Sequence, residues 1–169
     1  MRPALRAETR RYPGGGSAAG ANRLPGHRCY PWAEAHIAAQ NDRRIRSFVQ
    51  RYGEALGNGD LTVIVESWGV PSLVVSDRGL QPVERSAQVE ALFRSAIAEH
   101  RKRKLVTTRP EVEGLERLAE RVYSVDVRWT NLDGDGIERA SERWRYVLRA
   151  APDEAPRIYV AIMKAGGER

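Results

Sequence analysis

Val122-Tyr123-Ser124-Val125-Asp126-Val127-Arg128-Trp129 and Ala140-Ser141-Glu142-Arg143-Trp144-Arg145-Tyr146-Val147-Leu148 flank the loop Asn131-Leu132-Asp133-Gly134-Asp135-Gly136. Each flank alternates with a period of two, the signature of a half-buried strand. On the first, Tyr123, Val125, Val127 and Trp129 share a face, while Ser124, Asp126 and Arg128 share the other. On the second, Ala140, Glu142, Trp144, Tyr146 and Leu148 oppose Arg139, Ser141, Arg143, Arg145 and Arg149. Asp-Gly between such runs predicts an antiparallel hairpin. A turn centred on Asp133-Gly134 predicts Tyr123 opposite Trp144 and Val125 opposite Glu142. The aromatic face is then the inner one.

Outward from the hairpin, the period changes. Ile45, Phe48, Val49, Tyr52, Ala55 and Leu56 recur at helical spacing after Asn41 and Asp42, both good N-caps, and Gly57-Asn58-Gly59 stops that helix. Asp60 caps a second, short helix carrying Leu61, Ile64, Val65 and Trp68, ended by Gly69 and Pro71. Leu73–Val75 forms a short strand closed by a Ser76–Gly79 turn. Ser86 caps a third helix with the stripe Val89, Leu92, Phe93, Ala96 and Ile97. Its end, His100-Arg101-Lys102-Arg103-Lys104, sets cations against the negative pole of the helix dipole. Leu105–Val112 is extended, and Pro110 places it at a sheet edge or bend. Ile158–Met163 is the last strand. The fold class is α+β, with three N-terminal helices on a mainly antiparallel sheet.

The chain has 169 residues, a length suited to one domain, and no run long and apolar enough for a helical membrane span. Its 28 Lys and Arg outnumber its 22 Asp and Glu, for a net charge of +6. Most of that excess lies in residues 1–40, where six arginines face Glu8 and Glu34 amid Pro3, Pro13, Pro25, Pro31 and a Gly14–Gly20 run. That stretch lacks apolar periodicity and reads as a flexible extension or the product of an early start codon. It has no apolar core of a secretory signal, though an Arg- and Ala-rich composition also fits a transit peptide. Tyr30-Pro31-Trp32 is placed to anchor it, with a short helix from Trp32 to Ala39. Residues 41–165 form the domain and 166–169 a tail. The single Cys29 excludes an intrachain disulfide and suits a reducing, cytoplasmic setting.

The order of elements resembles the nuclear transport factor 2-like superfamily, and within it SnoaL-like polyketide-cyclase and ketosteroid-isomerase-type domains. The resemblance is carried by Phe48–Leu56, Gly59-Asp60-Leu61, Trp68, the Val125–Trp129 and Trp144–Leu148 strands around Asp133-Gly134, and Arg157-Ile158. It implies a cone: a strongly curved sheet wrapping the helices, a pocket at the wide end, and homodimers paired through the outer sheet face. It does not carry a catalytic set. Members that use histidine need one inside the cone, whereas His27 and His36 precede the domain and His100 sits in a basic helix end. No Tyr/Asp pattern of the steroid isomerases is evident. Asp126-Val127-Arg128 is superficially similar to the Arg/Asp set of epoxide-hydrolase members, but lies on the outer face.

Glu142 is the one acid at an aromatic-facing position, where desolvation would raise its pKa as acid–base work requires. The competing reading is a sheet-edge carboxylate reaching solvent or an arginine. Asp126 reads as an ion-pair partner of Arg143 or Arg145. Trp68, Tyr123, Trp129, Trp144 and Tyr146 are the candidate pocket wall, or else ordinary core. Asp133–Gly136 is a turn lacking the spaced ligands of a calcium loop. With no phosphate-binding glycine loop and no metal motif, no cofactor is expected.

The expected function is binding of a small, mostly apolar molecule, with proton transfer or hydration by Glu142 as isomerase, cyclase or hydrolase chemistry. The alternative is a non-enzymatic ligand-binding or dimerisation module whose cone is filled by its aromatics. Nucleic-acid binding through the extension and residues 100–104 would demand steep salt dependence. The domain's near-neutral charge argues against it.

Overall fold

The computed structural model describes residues 31–165, with side chains from residue 36 onward. The expected extension up to residue 30, its Cys29 and the 166–169 tail lie outside the described residues. Helix α1 (Pro31–Asn58) is followed by α2 (Leu61–Glu66), the hairpin β1 (Trp68–Ser76) and β2 (Gly79–Val83), and α3 (Ser86–Lys102). Four strands complete the chain: β3 (Leu105–Ala119), β4 (Val122–Asp133), β5 (Glu138–Arg149) and β6 (Arg157–Met163). They form one six-stranded sheet in the order β2-β1-β6-β5-β4-β3, antiparallel except where β1 runs parallel to β6. The sheet curls into a cone around the helices, the expected α+β arrangement.

The α1 stripe is the centre of the core. Ile45, Phe48, Val49, Tyr52 and Ala55 are all buried against the inner face of β4, where Tyr123, Val125, Val127 and Trp129 are buried in turn. Asp60 caps α2 as expected, its carboxylate accepting from the Val63 N–H at 3.2 Å. Pro110 lies in β3, an edge strand, where its missing N–H leaves no ladder position unpaired.

Several expectations are corrected. Asn41 and Asp42 cap nothing: α1 runs through them from Pro31, merging the expected short helix with the main one. Ser86 is the first residue of α3 rather than its cap, and the Gln88 side chain reaches back to accept from the Glu84 and Arg85 N–H groups at 2.8 and 3.0 Å. Trp68 belongs to a strand. Helix α2 ends because the Ser67 hydroxyl bonds back to the Val63 carbonyl at 2.7 Å while the Ser67 carbonyl accepts from Ile158 of β6 at 2.9 Å. Sheet pairing overrides local helical preference there. Strand β2, with Pro82 and four exposed positions, carries no apolar alternation to announce it.

The hairpin register also differs. Tyr123 pairs with Leu148, Val125 with Tyr146 and Trp129 with Glu142, because both strands continue into the presumed loop. The Asp133 carboxylate accepts from the Asp135 and Ile137 N–H groups at 3.0 and 2.9 Å, and Gly136 takes the left-handed φ of 78° that the turn requires. The turn therefore centres beyond Asp133-Gly134. The partners shift by four residues, an even number, so every face assignment survives.

Candidate functional site

A cavity of about 280 Å³ lies between α3 and the concave face of the sheet. Its inner wall is aromatic: Tyr52 from α1, Trp68 from β1, Trp129 from β4 and Tyr146 from β5, each at most 6% exposed. The rings meet edge to face, with centroid separations of 5.9 Å for Tyr52–Trp129 and 6.3 Å for Trp129–Tyr146. Two hydrogen bonds hold them: the Trp68 indole donates to the Tyr52 hydroxyl at 3.0 Å, and the Trp129 indole donates to the Tyr146 hydroxyl at 2.9 Å. Burial pushes both phenols well above their usual titration range, and for Tyr146 the neighbouring Tyr52 adds to the effect. Both stay protonated.

Leu92, Phe93, Ala96 and Ile97 of α3 form the opposite wall. These positions remain partly or fully exposed although they build the expected apolar stripe, because the helix faces a cavity rather than a filled core. Polar groups are few and convergent. Glu142 is half-buried, with Oε2 accepting from the Trp144 indole at 3.0 Å. Trp144 stacks on Tyr146 at 6.3 Å and 13°, which fixes the donor that orients the carboxylate. The Thr108 hydroxyl donates to Asn131 Oδ1 at 2.9 Å, and both side chains are buried at the cavity. His100 completes the polar set from the last turn of α3.

Of the expected pocket residues, Trp68, Trp129, Trp144, Tyr146 and Glu142 meet at this cavity. Tyr123 does not. It pairs with Leu148 near the start of β4, six residues before Trp129, and is 2% exposed in solid core. Glu142 faces Trp129 across the hairpin rather than Val125. His100, read from sequence as part of a basic helix end, also lines the cavity. Its position was legible, since it continues the 89-92-93-96-97 spacing of α3 by one more turn. Asn131 likewise continues the inward parity of Val125, Val127 and Trp129. Tyr52 was read as core only, and nothing local distinguishes Thr108.

Arg101 to Lys104 are exposed and outside the cavity, and Asp126 sits on the outer face. Asp126 accepts two bonds of 2.8 Å from Arg145, with Lys164 at 3.3 Å. It therefore has no role inside the cone. Among the described residues, no group of three His, Cys, Asp or Glu side chains is placed to hold a metal ion. No described helix is long and apolar enough to cross a membrane.

No curated protein matches the sequence. Solved structures with the same fold are numerous but distant. A Nostoc punctiforme domain of unknown function with a cystatin-like fold superposes with a TM-score of 0.59 at 13% identity, covering 74% of this chain and 76% of that one. An NTF-2 like protein of unknown function from Shewanella oneidensis gives 0.56 at 10% identity, covering 73% and 98%. An NTF2-like superfamily protein from Salmonella enterica gives 0.56 at 14% identity, covering 78% and 94%. At such identities the likeness shows the cone fold alone. Residues 41–166, most of the chain, match the family described as NTF2-like protein (DUF6841), and the chain belongs to that NTF2-like family.

Proposed function

We propose that the cone binds a small, mostly apolar molecule and that Glu142 exchanges a proton with it, in an isomerase-, cyclase- or hydrolase-like reaction. The observation that carries this reading is a carboxylate, held by Trp144, in the wall of an aromatic cavity of about 280 Å³. Apolar walls with a few convergent polar groups are the usual construction of small-molecule sites, and this volume is at their lower end. The cavity favours this reading over an aromatic-filled cone.

A thermal-shift screen of one- and two-ring apolar compounds tests binding, since a ligand held by the native state raises the melting temperature. Compounds that bind are then incubated in D2O and followed by proton NMR. Solvent deuterium should enter the ligand, and Glu142→Gln should slow that entry by about 10²- to 10⁴-fold, with affinity nearly unchanged. Binding without exchange would leave a non-enzymatic ligand-binding module as the function. A homodimer through the outer sheet face is part of the same proposal. Light scattering tests it.

A further inference from the structure

Several elements end together beside the polar end of the cavity. Helix α3 stops at Lys102, the chain reverses at Lys104 with a left-handed φ of 58°, and β3 begins at Leu105. Leu105 pairs with Asp133 at the end of β4, and the Asp133 N–H donates to the Ile137 carbonyl at 3.0 Å just ahead of β5. His100, Thr108 and Asn131 of the cavity wall lie within three residues of this rim, on α3, β3 and β4. A surface depression there is lined by Arg103, Lys104, Val106 and Arg139, with Asp133 and Asp135.

The rim is cationic and apolar at once. Arg101, Lys102, Arg103 and Lys104 are all exposed, and among the described residues only Lys102 has an ion-pair partner, Glu99 at 3.6 Å. Asp133 is engaged by Arg139 at 2.6 Å, which leaves Asp135 as the exposed acid of the depression. Val106 and Ile137 are 53% and 51% exposed at the same rim. Exposed aliphatic side chains gain nothing from the phosphates of a nucleic acid. A bilayer interface accepts both kinds of group, cations at its anionic headgroups and apolar side chains at the acyl boundary. We propose that this rim is a peripheral docking surface for an anionic lipid bilayer, engaged through Arg101, Arg103, Lys104, Val106 and Ile137. Docking sets the polar end of the cavity against the membrane. The proposal goes beyond the small-molecule reading of the cone and depends neither on Glu142 nor on any ligand.

Vesicle flotation with the full chain tests it, using phosphatidylcholine alone and phosphatidylcholine mixed with phosphatidylglycerol. The protein should float with the mixed vesicles and not with the neutral ones, and raising salt to about 1 M should abolish binding by screening. Each cation near an anionic surface is worth about a fivefold factor, so Arg101→Glu/Arg103→Glu/Lys104→Glu should weaken partitioning by at least about 100-fold. None of the three has an ion pair to lose among the described residues. Val106→Ser/Ile137→Ser should weaken it by about tenfold with the salt dependence retained, the mark of apolar insertion. A third variant, Arg2→Glu/Arg6→Glu/Arg10→Glu, separates the rim from the arginines of the first 40 residues. Binding that is lost in this variant and kept in the rim variant would overturn the proposal. So would equal flotation with neutral and anionic vesicles, or none with either. Binding of a DNA duplex that depends on the same three cations, without vesicle binding, would make the rim a nucleic-acid site instead. All of these outcomes leave the thermal-shift test of the cavity untouched.

Discussion

Each tyrosine of the cavity wall satisfies a tryptophan, so removing one hydroxyl strands an indole donor. Tyr52→Phe leaves the Trp68 N–H, on a residue only 5% exposed, without its 3.0 Å partner. An unsatisfied buried donor costs about 1–3 kcal/mol, more than the net value of the bond itself. Urea unfolding should show that loss for Tyr52→Phe. The Tyr52→Phe/Trp68→Phe pair should lose less than the sum of the two single changes, because the double variant strands no donor. Additive losses would mean that the bond contributes little. Trp129, Trp144 and Glu142 could be placed by strand parity alone. The pairing of Trp68 with Tyr52 joins residues on different elements, and no local pattern encodes it.

Between elements, the close crossing of α1 and β3 depends on a missing side chain. A Cβ on Gly53 would lie 2.8 Å from Pro110 Cδ and 3.0 Å from the Trp129 ring. Alanine is the better helix former by about 1 kcal/mol, yet overpacking against a proline ring costs about 1–3 kcal/mol. Gly53→Ala should therefore destabilise the protein in denaturant titration despite improving the helix. On the outer face of the hairpin, hydrogen bonds from Arg145 and then Lys164 hold the Asp126 carboxyl below its usual value of 3.8, against partial burial. A lowered folded-state pKa means that the ionised form is the stabilised one. Its contribution is complete above about pH 4 and disappears as pH falls through the lowered value. Asp126→Asn should lower the melting temperature at pH 7, and the gap to wild type should close as pH approaches 2. A gap independent of pH would show that packing, not charge, holds Asp126 in place. The alternation 123-125-127-129 announced this hairpin and both its faces. Its register was not legible, because the Asp133 side chain reshapes the loop from within.

At the scale of the whole molecule, the wall that faces the sheet is one helix whose apolar stripe is left incompletely covered. Ala96 is exposed and lines the cavity from α3. Ala96→Phe should fill that space, abolish ligand-induced thermal shifts and leave the melting temperature unchanged or slightly raised. Filling a cavity in a compatible site commonly stabilises. Undiminished ligand binding by a folded Ala96→Phe protein would place the ligand elsewhere. The net charge also reads differently at this scale. Most of the +6 lies in residues 1–40, and the cations that follow His100 point to solvent, away from the cavity.

Periodicity alone determined that the chain is α+β, which face of each strand of the β4–β5 hairpin is buried, and that aromatics and one acid share the inner face. Those properties follow from local geometry, since a strand repeats every two residues and a helix every 3.6. Tertiary structure decided that the aromatics surround a cavity instead of filling it, that Tyr123 stands apart from it, and that His100, Thr108, Asn131 and Tyr52 belong to it. Parity can give a residue's side of the sheet. Whether the facing helix approaches closely enough to close the gap depends on distances between elements far apart in sequence. Gly53 against Pro110 brings α1 close to the sheet, while α3 stands off enough to leave the cavity open.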